Sequence, residues 1–200
     1  MRSAELRLAP PPGWWSVPLV ERDIAVRALR TFLRESLGGD SFAQVRGRLL
    51  PRLAGAADAA RAAGGRVILL SAARRERPDW PMSIVVYAVG EGLEPPPGAR
   101  PELSREALRR VLSRSALDPV ETLMTDAGVV VRTRRRRPAD TVGHVPPSFA
   151  ADYWMTGPGP NDLALASCSS PCLDAEADLI ARWDAIVATA AWTSDDPSEE

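Results

Sequence analysis

Apolar residues recur at two different spacings along this chain, and each spacing predicts a different kind of element. Between residues 21 and 37, apolar side chains repeat every three to four positions and arginines occupy the opposite side, which predicts an amphipathic helix. The same spacing predicts a second helix over residues 42–60, a short helix from Ser104 onward, and a final helix over residues 174–191. Pro51 lies within the second pattern and predicts a kink or break there, because proline cannot donate the helical hydrogen bond.

Runs rich in β-branched and aromatic residues, bounded by glycine and proline, predict the strands. They occupy residues 66–73, 83–89, 120–124, 129–136, 150–155 and 163–168. Because short turns join several neighbouring runs, the strands should pair antiparallel, and the long amphipathic helices on either side should cover the sheet. The sequence therefore predicts an α+β fold with a single antiparallel β-sheet flanked by helices. We assign residues 1–192 to one such domain and residues 193–200 to an acidic, disordered tail.

The segment before the first helix contains two apolar stretches separated by three prolines. The first, Glu5 to Leu8, is a strand candidate. The second, Trp14 to Val17, is interpreted as an apolar entry to the first helix. Adjacent side chains of an extended segment point in opposite directions, so Trp14 and Trp15 cannot face the same way. One of them is therefore a candidate for an exposed, partner-binding residue.

The C-terminal third resembles a group of actinobacterial proteins. The resemblance lies in Tyr153-Trp154-Met155, a Gly-Pro-Gly turn, a strand, a helix with the sequence Arg-Trp-Asp-Ala-Ile-Val-Ala-Thr, and the closing Trp192. That group is similar to the PsbP-like α/β/α sandwich, which a photosystem accessory subunit and the LpqN-type mycobacterial lipoproteins share. The resemblance implies this sandwich fold and a role in binding proteins or small ligands. It implies no catalytic residues.

Composition narrows the function classes further. All 25 basic residues are arginine, the formal net charge is −1, and 45% of residues are hydrophobic, as in globular proteins. The absence of lysine excludes Schiff-base chemistry and a P-loop lysine. The first residues contain no apolar run of signal-peptide length, and no apolar run is long enough to span a bilayer. We therefore expect a cytoplasmic protein that does not insert into membranes.

No group of residues forms a catalytic, cofactor or metal motif, so we predict none of these sites. The single histidine, His144, has no evident companion, and metal sites need several ligands. Cys168 and Cys172 lack zinc or thioredoxin spacing; Cys168 is interpreted as a buried small hydrophobe and Cys172 as a turn residue, with a redox switch left open. Carboxylates such as Glu121 and Glu176 are interpreted as helix-dipole complements near helix starts.

One charge run remains as a candidate binding site. On a strand, Arg132, Arg134 and Arg136 share one face. Four consecutive arginines repel one another and are costly to desolvate without an anion, so we expect them to face solvent or an acidic partner. The candidate partner-binding residues are therefore Arg132, Arg134, Arg135, Arg136, Arg137, Trp14 and Trp15.

Three functions are compatible with these patterns. The leading hypothesis is a non-enzymatic cytoplasmic binding or accessory domain whose partner is another protein with an acidic surface. The resemblance implies a role in an actinobacterial secretion or envelope-associated system. The alternative is a small-molecule-binding or hydrolytic enzyme whose pocket has no sequence signature. The third is a nucleic-acid-associated protein that uses residues 132–137, although a sequence pI near 6.0 disfavours it. A pocket with convergent titratable groups would favour the enzyme, and a flat apolar patch near Trp14 or Trp15 a protein partner.

Overall fold

The computed structural model describes residues 5–71, 80–89, 120–126, 128–139, 146–157 and 162–193. The helices are α1 (Arg22–Ser36), α2 (Ala43–Ala62) and α3 (Glu176–Val187), with single 3₁₀ turns at Asp40–Phe42 and Leu173–Ala175. The strands are β1 (Glu5–Arg7), β2 (Trp14–Pro18), β3 (Gly65–Ser71), β4 (Met82–Val89), β5 (Val120–Thr125), β6 (Gly128–Arg137), β7 (Ser148–Thr156), β8 (Leu163–Ser170) and β9 (Ala191–Thr193). The predicted helix from Ser104, His144 and residues 194–200 lie outside the described residues.

Seven strands form one sheet in the order β2-β3-β4-β8-β7-β6-β5, and every neighbouring pair is antiparallel. This confirms the predicted α+β fold with an antiparallel sheet flanked by helices. β1 and β9 form a separate two-stranded ribbon in which Glu5 is opposite Thr193. Thr193, which we had assigned to the tail, is thus the last residue of a strand.

α3 covers one face of the sheet. Strand alternation turns Phe149, Ala151, Tyr153 and Met155 of β7 toward it, and each of them is buried. Trp183 of α3 is fully buried and stacks on Phe149, with ring centroids 5.8 Å apart. This face therefore contains the largest group of buried aromatic side chains, at the centre of the main core.

α1 and α2 cover the opposite face over β2, β3 and part of β4. Their contact residues with the sheet are Leu29, Phe32, Leu33, Ala57 and Ala60, which pack with Val17, Ile68 and Leu70. The two helices differ in bulk at this contact, because the buried residues of α2 are all alanines. A helix that presents alanines fills the layer less completely than one that presents leucine or phenylalanine, and a cavity remains there.

Trp14 to Val17 is a strand and not an entry to the first helix. The segment forms β2, the edge strand next to β3, with Trp15 opposite Leu70 and Val17 opposite Ile68. Its partner is about fifty residues away in sequence, so no local turn signal marks the pairing. Tertiary pairing therefore decided the conformation of this segment.

The sequence predicted a kink or a break at Pro51, and the helix does not break there, because α2 continues through that residue. Pro51 and Gly47 are both on the exposed side of the helix, so water can satisfy the carbonyl that proline leaves unpaired. The helix is held from its other side, where Ala54, Ala57 and Ala60 pack in the core. Packing of the following turns therefore outweighs the local cost of the proline.

The final helix is shorter than predicted and ends at Val187. The Thr189 hydroxyl donates to the Ile186 carbonyl at 2.6 Å and accepts from the Ala9 amide at 2.8 Å, which ties the helix end to the N-terminal segment. Trp192 lies in β9 against Gly157, where an added Cβ would come within 3.0 Å of its indole. The closing tryptophan thus belongs to the ribbon and not to the helix.

Trp183 provides a test of this core. Trp183→Ala removes a fully buried indole stacked on Phe149, and we expect a loss of about 3–5 kcal/mol in unfolding free energy. Trp183→Phe keeps an aromatic ring against Phe149 and removes an indole N–H that has no hydrogen-bond partner among the described residues, so its loss of unfolding free energy should be smaller than that of Trp183→Ala. Urea denaturation measures both values. Equal losses in the two variants would show that stacking on Phe149 does not stabilise the core.

Candidate functional site

The arginines of β6 alternate between the two faces of the sheet. Arg132, Arg134 and Arg136 turn toward the face that α3 covers, as the strand pattern predicted, and Arg135 turns toward the other face. Acidic side chains of the same chain meet them on both faces. The segment is therefore not a row of solvated charges.

Arg132 is the centre of a buried ion-pair network. Its side chain is 7% exposed, and its Nη1 lies 2.5 Å from both carboxylate oxygens of Asp184 on α3. Its Nη2 donates to Glu121 on β5. The Tyr153 hydroxyl donates to Asp184 at 2.8 Å, and the guanidinium lies 5.9 Å from the centroid of the Tyr153 ring. One side chain thus connects β5, β7 and α3.

The surroundings shift the pKa values of three groups in this network: Arg132, Glu121 and Tyr153. Burial alone would lower the pKa of Arg132, but the hydrogen bonds with Asp184 and Glu121 outweigh burial and raise that pKa. The hydrogen bond with Arg132 lowers the pKa of Glu121, with a further contribution from the charge of Arg134. Burial, followed by nearby negative charge, raises the pKa of Tyr153. At neutral pH this is a charged arginine between two carboxylates.

The neighbouring arginines also have partners within the chain. Arg134 binds the second oxygen of Glu121 at 2.5 Å, and Arg136 binds Glu176 at 2.5 Å. On the opposite face, Arg135 pairs with Asp152 at 2.6 Å, and that 6%-exposed carboxylate also accepts from Ser167 at 2.6 Å. The acidic partner that we expected for this segment is therefore supplied by the fold.

The acidic partners of the β6 arginines were not predicted from the sequence. Glu121 lies in a strand and not near a helix start, so its interpretation as a helix-dipole complement was wrong. Glu176 does begin α3, but it also pairs with Arg136. Eleven positions separate Glu121 from Arg132, and fifty-two separate Arg132 from Asp184. Only the β5–β6 register could have signalled the first pairing, because Glu121 lies directly opposite Arg132.

Trp14 and Trp15 point to opposite faces of β2, as expected for adjacent strand residues. Trp14 packs against the core on the α3 side, and Trp15 packs against the core under α1, with its ring centroid 6.1 Å from that of Phe32. Both side chains are half-buried. Their role in partner binding stays a proposal.

The two cysteines lie where the sequence placed them. Cys168 of β8 is fully buried, and burial raises the pKa of its thiol well above the usual value. Cys172 is half-buried in the turn before α3, and both thiols are free. Within the described ranges, no three histidine, cysteine or carboxylate side chains are grouped as metal ligands would be.

A cavity of about 410 Å³ lies between α2 and the sheet, with α1 at one side. Three alanines of α2 form its roof, and apolar side chains of β3 and β4 form its floor. It is lined by Leu29, Leu53, Ala56, Ala59, Ala60, Ile68, Leu70, Ser83, Val85 and Tyr87. Alanine at helical spacing is typical of close packing, so the alanine pattern of α2 did not predict a cavity here.

Among the described residues that line the cavity, two carry polar side-chain groups. The Ser83 hydroxyl forms a hydrogen bond with the Ser169 hydroxyl at 2.8 Å. Burial, and next the charge of Asp152, raise the pKa of the Tyr87 phenol, so it stays protonated at neutral pH. Neither group is activated as a nucleophile, because no base is paired with either hydroxyl.

No family model matches the chain, and no curated protein matches its sequence. Three chains of solved structures are similar to it, including the two that follow. The crystal structure of LpqN, involved in cell envelope biogenesis of Mycobacterium tuberculosis, has a TM-score of 0.46 and 10% identity, covering 96% of this chain and 85% of LpqN. The solution structure of cyanobacterial PsbP (CyanoP) from Synechocystis sp. PCC 6803 has a TM-score of 0.40 and 12% identity, covering 94% of this chain and 93% of CyanoP. Similarities this low do not bear on function.

None of the described helices is both long enough and apolar enough to cross a bilayer.

The Arg132 network generates a stability prediction. Arg132→Met leaves the carboxylates of Asp184 and Glu121 without their shared partner, and we expect the free energy of unfolding to fall by about 3 kcal/mol. This is the lower end of the cost of breaking a buried ion pair, because both carboxylates are about one-third exposed. Adding Asp184→Asn and Glu121→Gln to that variant should recover part of the loss. Urea denaturation at pH 7 measures each variant. A triple variant less stable than Arg132→Met alone would contradict the network as described.

Glu121 gives the network a pH dependence. Its pKa is lowered in the folded state, so its carboxylate stabilises the fold above the unfolded-state pKa of about 4.3, and that contribution disappears as pH falls through the lower folded-state value. Glu121→Gln should therefore reduce stability at pH 7, and the difference from the native sequence should shrink at pH 3. Glu35→Gln, at an exposed position on α1, is the matched control and should show little difference at either pH. An equal stability difference between Glu121→Gln and the native sequence at both pH values would mean that the charge of Glu121 does not cause the difference.

Proposed function

We propose that this protein is a non-enzymatic binding protein whose cavity between α2 and the sheet holds an apolar small molecule. The observation that carries the proposal is the cavity of about 410 Å³, which has apolar side chains on all but two of its lining positions. Ligand pockets typically occupy about 300–1,000 Å³ and are lined mostly by apolar groups with a few polar ones. Ser83 and Tyr87 are the polar groups that would orient a ligand.

The cavity lining favours binding over catalysis. General acid–base chemistry needs a group with a pKa near the working pH, and the described residues of the lining include no carboxylate, histidine or cysteine. The raised pKa of Tyr87 makes its phenol a hydrogen-bond donor and not a base. These features support a binding site in preference to the hydrolytic alternative.

Binding of a protein partner is a second proposal. Fewer arginines of β6 support it than the sequence predicted. Arg132, Arg134 and Arg135 already pair with acidic groups of the chain, so a partner would have to compete with those contacts. Arg136 and Arg137 are the more exposed members of the segment. A nucleic-acid partner faces the same competition. The cytoplasmic location, the actinobacterial group and the envelope-associated role likewise stand as proposals.

Titration with the neutral fluorescent probe N-phenyl-1-naphthylamine tests the cavity. We expect saturable binding, because apolar surface transferred from water contributes about 25 cal/mol per Å². Ala56→Phe places a ring at the cavity wall and should weaken binding at least about tenfold, the equivalent of roughly 1.4 kcal/mol. Ala62→Phe makes the same change at an exposed position of α2 outside the cavity lining and should leave binding unchanged. Absence of saturable binding, or equal weakening by both variants, would rule out this site.

A further inference from the structure

Two sets of arginines in the described residues have different surroundings. The arginines of β6 from Arg132 to Arg136 have acidic partners within the fold. The side chains of five exposed arginines of the helical layer form no hydrogen bond or ion pair with any described residue. They are Arg27, Arg30 and Arg34 of α1 and Arg48 and Arg52 of α2. Positive charge that the fold leaves uncompensated is thus concentrated outside the sheet.

Helical spacing turns these arginines away from the core. Arg27, Arg30 and Arg34 are spaced as i, i+3 and i+7, on the side of α1 opposite its buried Leu29 and Phe32. Arg48 and Arg52 are spaced as i and i+4, on the side of α2 opposite its buried alanines. Because the two helices pack side by side on one face of the sheet, both rows belong to the outer surface of the same layer.

The charge balance of this layer differs from that of the whole chain. Residues 22–62, from the start of α1 to the end of α2, contain eight arginines against four aspartates and glutamates, although the chain as a whole has a net charge of −1. Of the acidic residues on the two helices, Asp58 is already paired with Arg22 at 2.9 Å. A weakly acidic protein therefore presents one distinctly basic surface. Such a patch attracts anionic surfaces at distances up to the Debye length.

We propose that the outer surface of α1 and α2 docks on an anionic lipid bilayer. The neighbouring apolar side chains favour a membrane over nucleic acid. Among the described residues, three large hydrophobic side chains are markedly exposed, and two of them, Val20 at 75% and Val45 at 42%, lie beside or within this helical layer. Shallow insertion of such side chains adds to the electrostatic attraction at a bilayer surface. Nucleic-acid surfaces instead use aromatic side chains for stacking, and neither arginine row contains one.

This docking is peripheral. No described helix can cross a bilayer, and the arginines would remain at the level of the lipid headgroups, where each contributes through the negative surface potential. The surface is separate from the lining of the cavity, so membrane docking and ligand binding can be measured independently.

Sedimentation with lipid vesicles tests the proposal on the full chain. Vesicles of phosphatidylcholine with one-third phosphatidylglycerol should bind the protein at low salt, and pure phosphatidylcholine vesicles should not. Binding should fall steeply as salt is raised, because screening shortens the reach of the surface potential. Replacing Arg27, Arg30 and Arg34 with glutamine should weaken binding about a hundredfold, from about fivefold per arginine.

Matched single variants locate the surface. Arg30→Gln and Arg137→Gln each remove one positive charge from an exposed position, and only the first should weaken vesicle binding, by about fivefold. Both should keep the native unfolding midpoint and unchanged N-phenyl-1-naphthylamine binding, since exposed substitutions seldom alter stability. Equal binding to both vesicle types, equal effects of the two variants, or tighter binding to duplex DNA than to the anionic vesicles at the same salt would overturn the proposal.

Discussion

A single buried guanidinium connects the β5 edge of the sheet to the helix that covers it. Arg132 meets Glu121 of the edge strand and Asp184 of α3, while the Tyr153 ring lies beside its guanidinium. Removing such a charge from water costs several kcal/mol, so the arrangement persists only while both carboxylates are present. It also specifies register. A slip of one residue in β6 would turn Arg132 to the opposite face, away from both partners, and bring valine or threonine in its place.

The same residue type therefore serves two purposes in this protein. Within the sheet, arginine joins strands to each other and to α3, because its planar fork can bind two carboxylates at once. On the outer surface of the helical layer, the side chains of five arginines have no partner among the described residues and contribute a local positive field. Local sequence does not distinguish the two uses, since every basic residue of the chain is arginine. The distinction appears only when the acidic residues are placed in three dimensions.

The fold could be predicted from the sequence where the signal was local. Alternation in β7 and the short turns between neighbouring runs predicted the antiparallel sheet, and the apolar stripe with Trp183 predicted α3. The sequence patterns did not predict structure that depends on contacts between residues far apart along the chain. Nothing near Trp14 reveals that it pairs with Ser71, and nothing near Glu121 reveals that Arg132 lies opposite it until the register of the strands is known. The cavity had no signal at all, because alanines that line a space and alanines that pack closely have the same spacing.

The ribbon of β1 and β9 has a consequence for the connectivity of the chain. Glu5 and Thr193 are directly paired, and the Thr193 hydroxyl donates to the Glu5 carbonyl at 3.3 Å, so the two ends of the described chain are neighbours in space. Leu6 anchors the ribbon in the main core. The two ends are therefore held close together by this packing as well as by the three backbone pairs of the ribbon. A short linker could therefore join these ends and new termini could be opened elsewhere. The order of the strands in space would then be preserved while their order in the gene is circularly permuted.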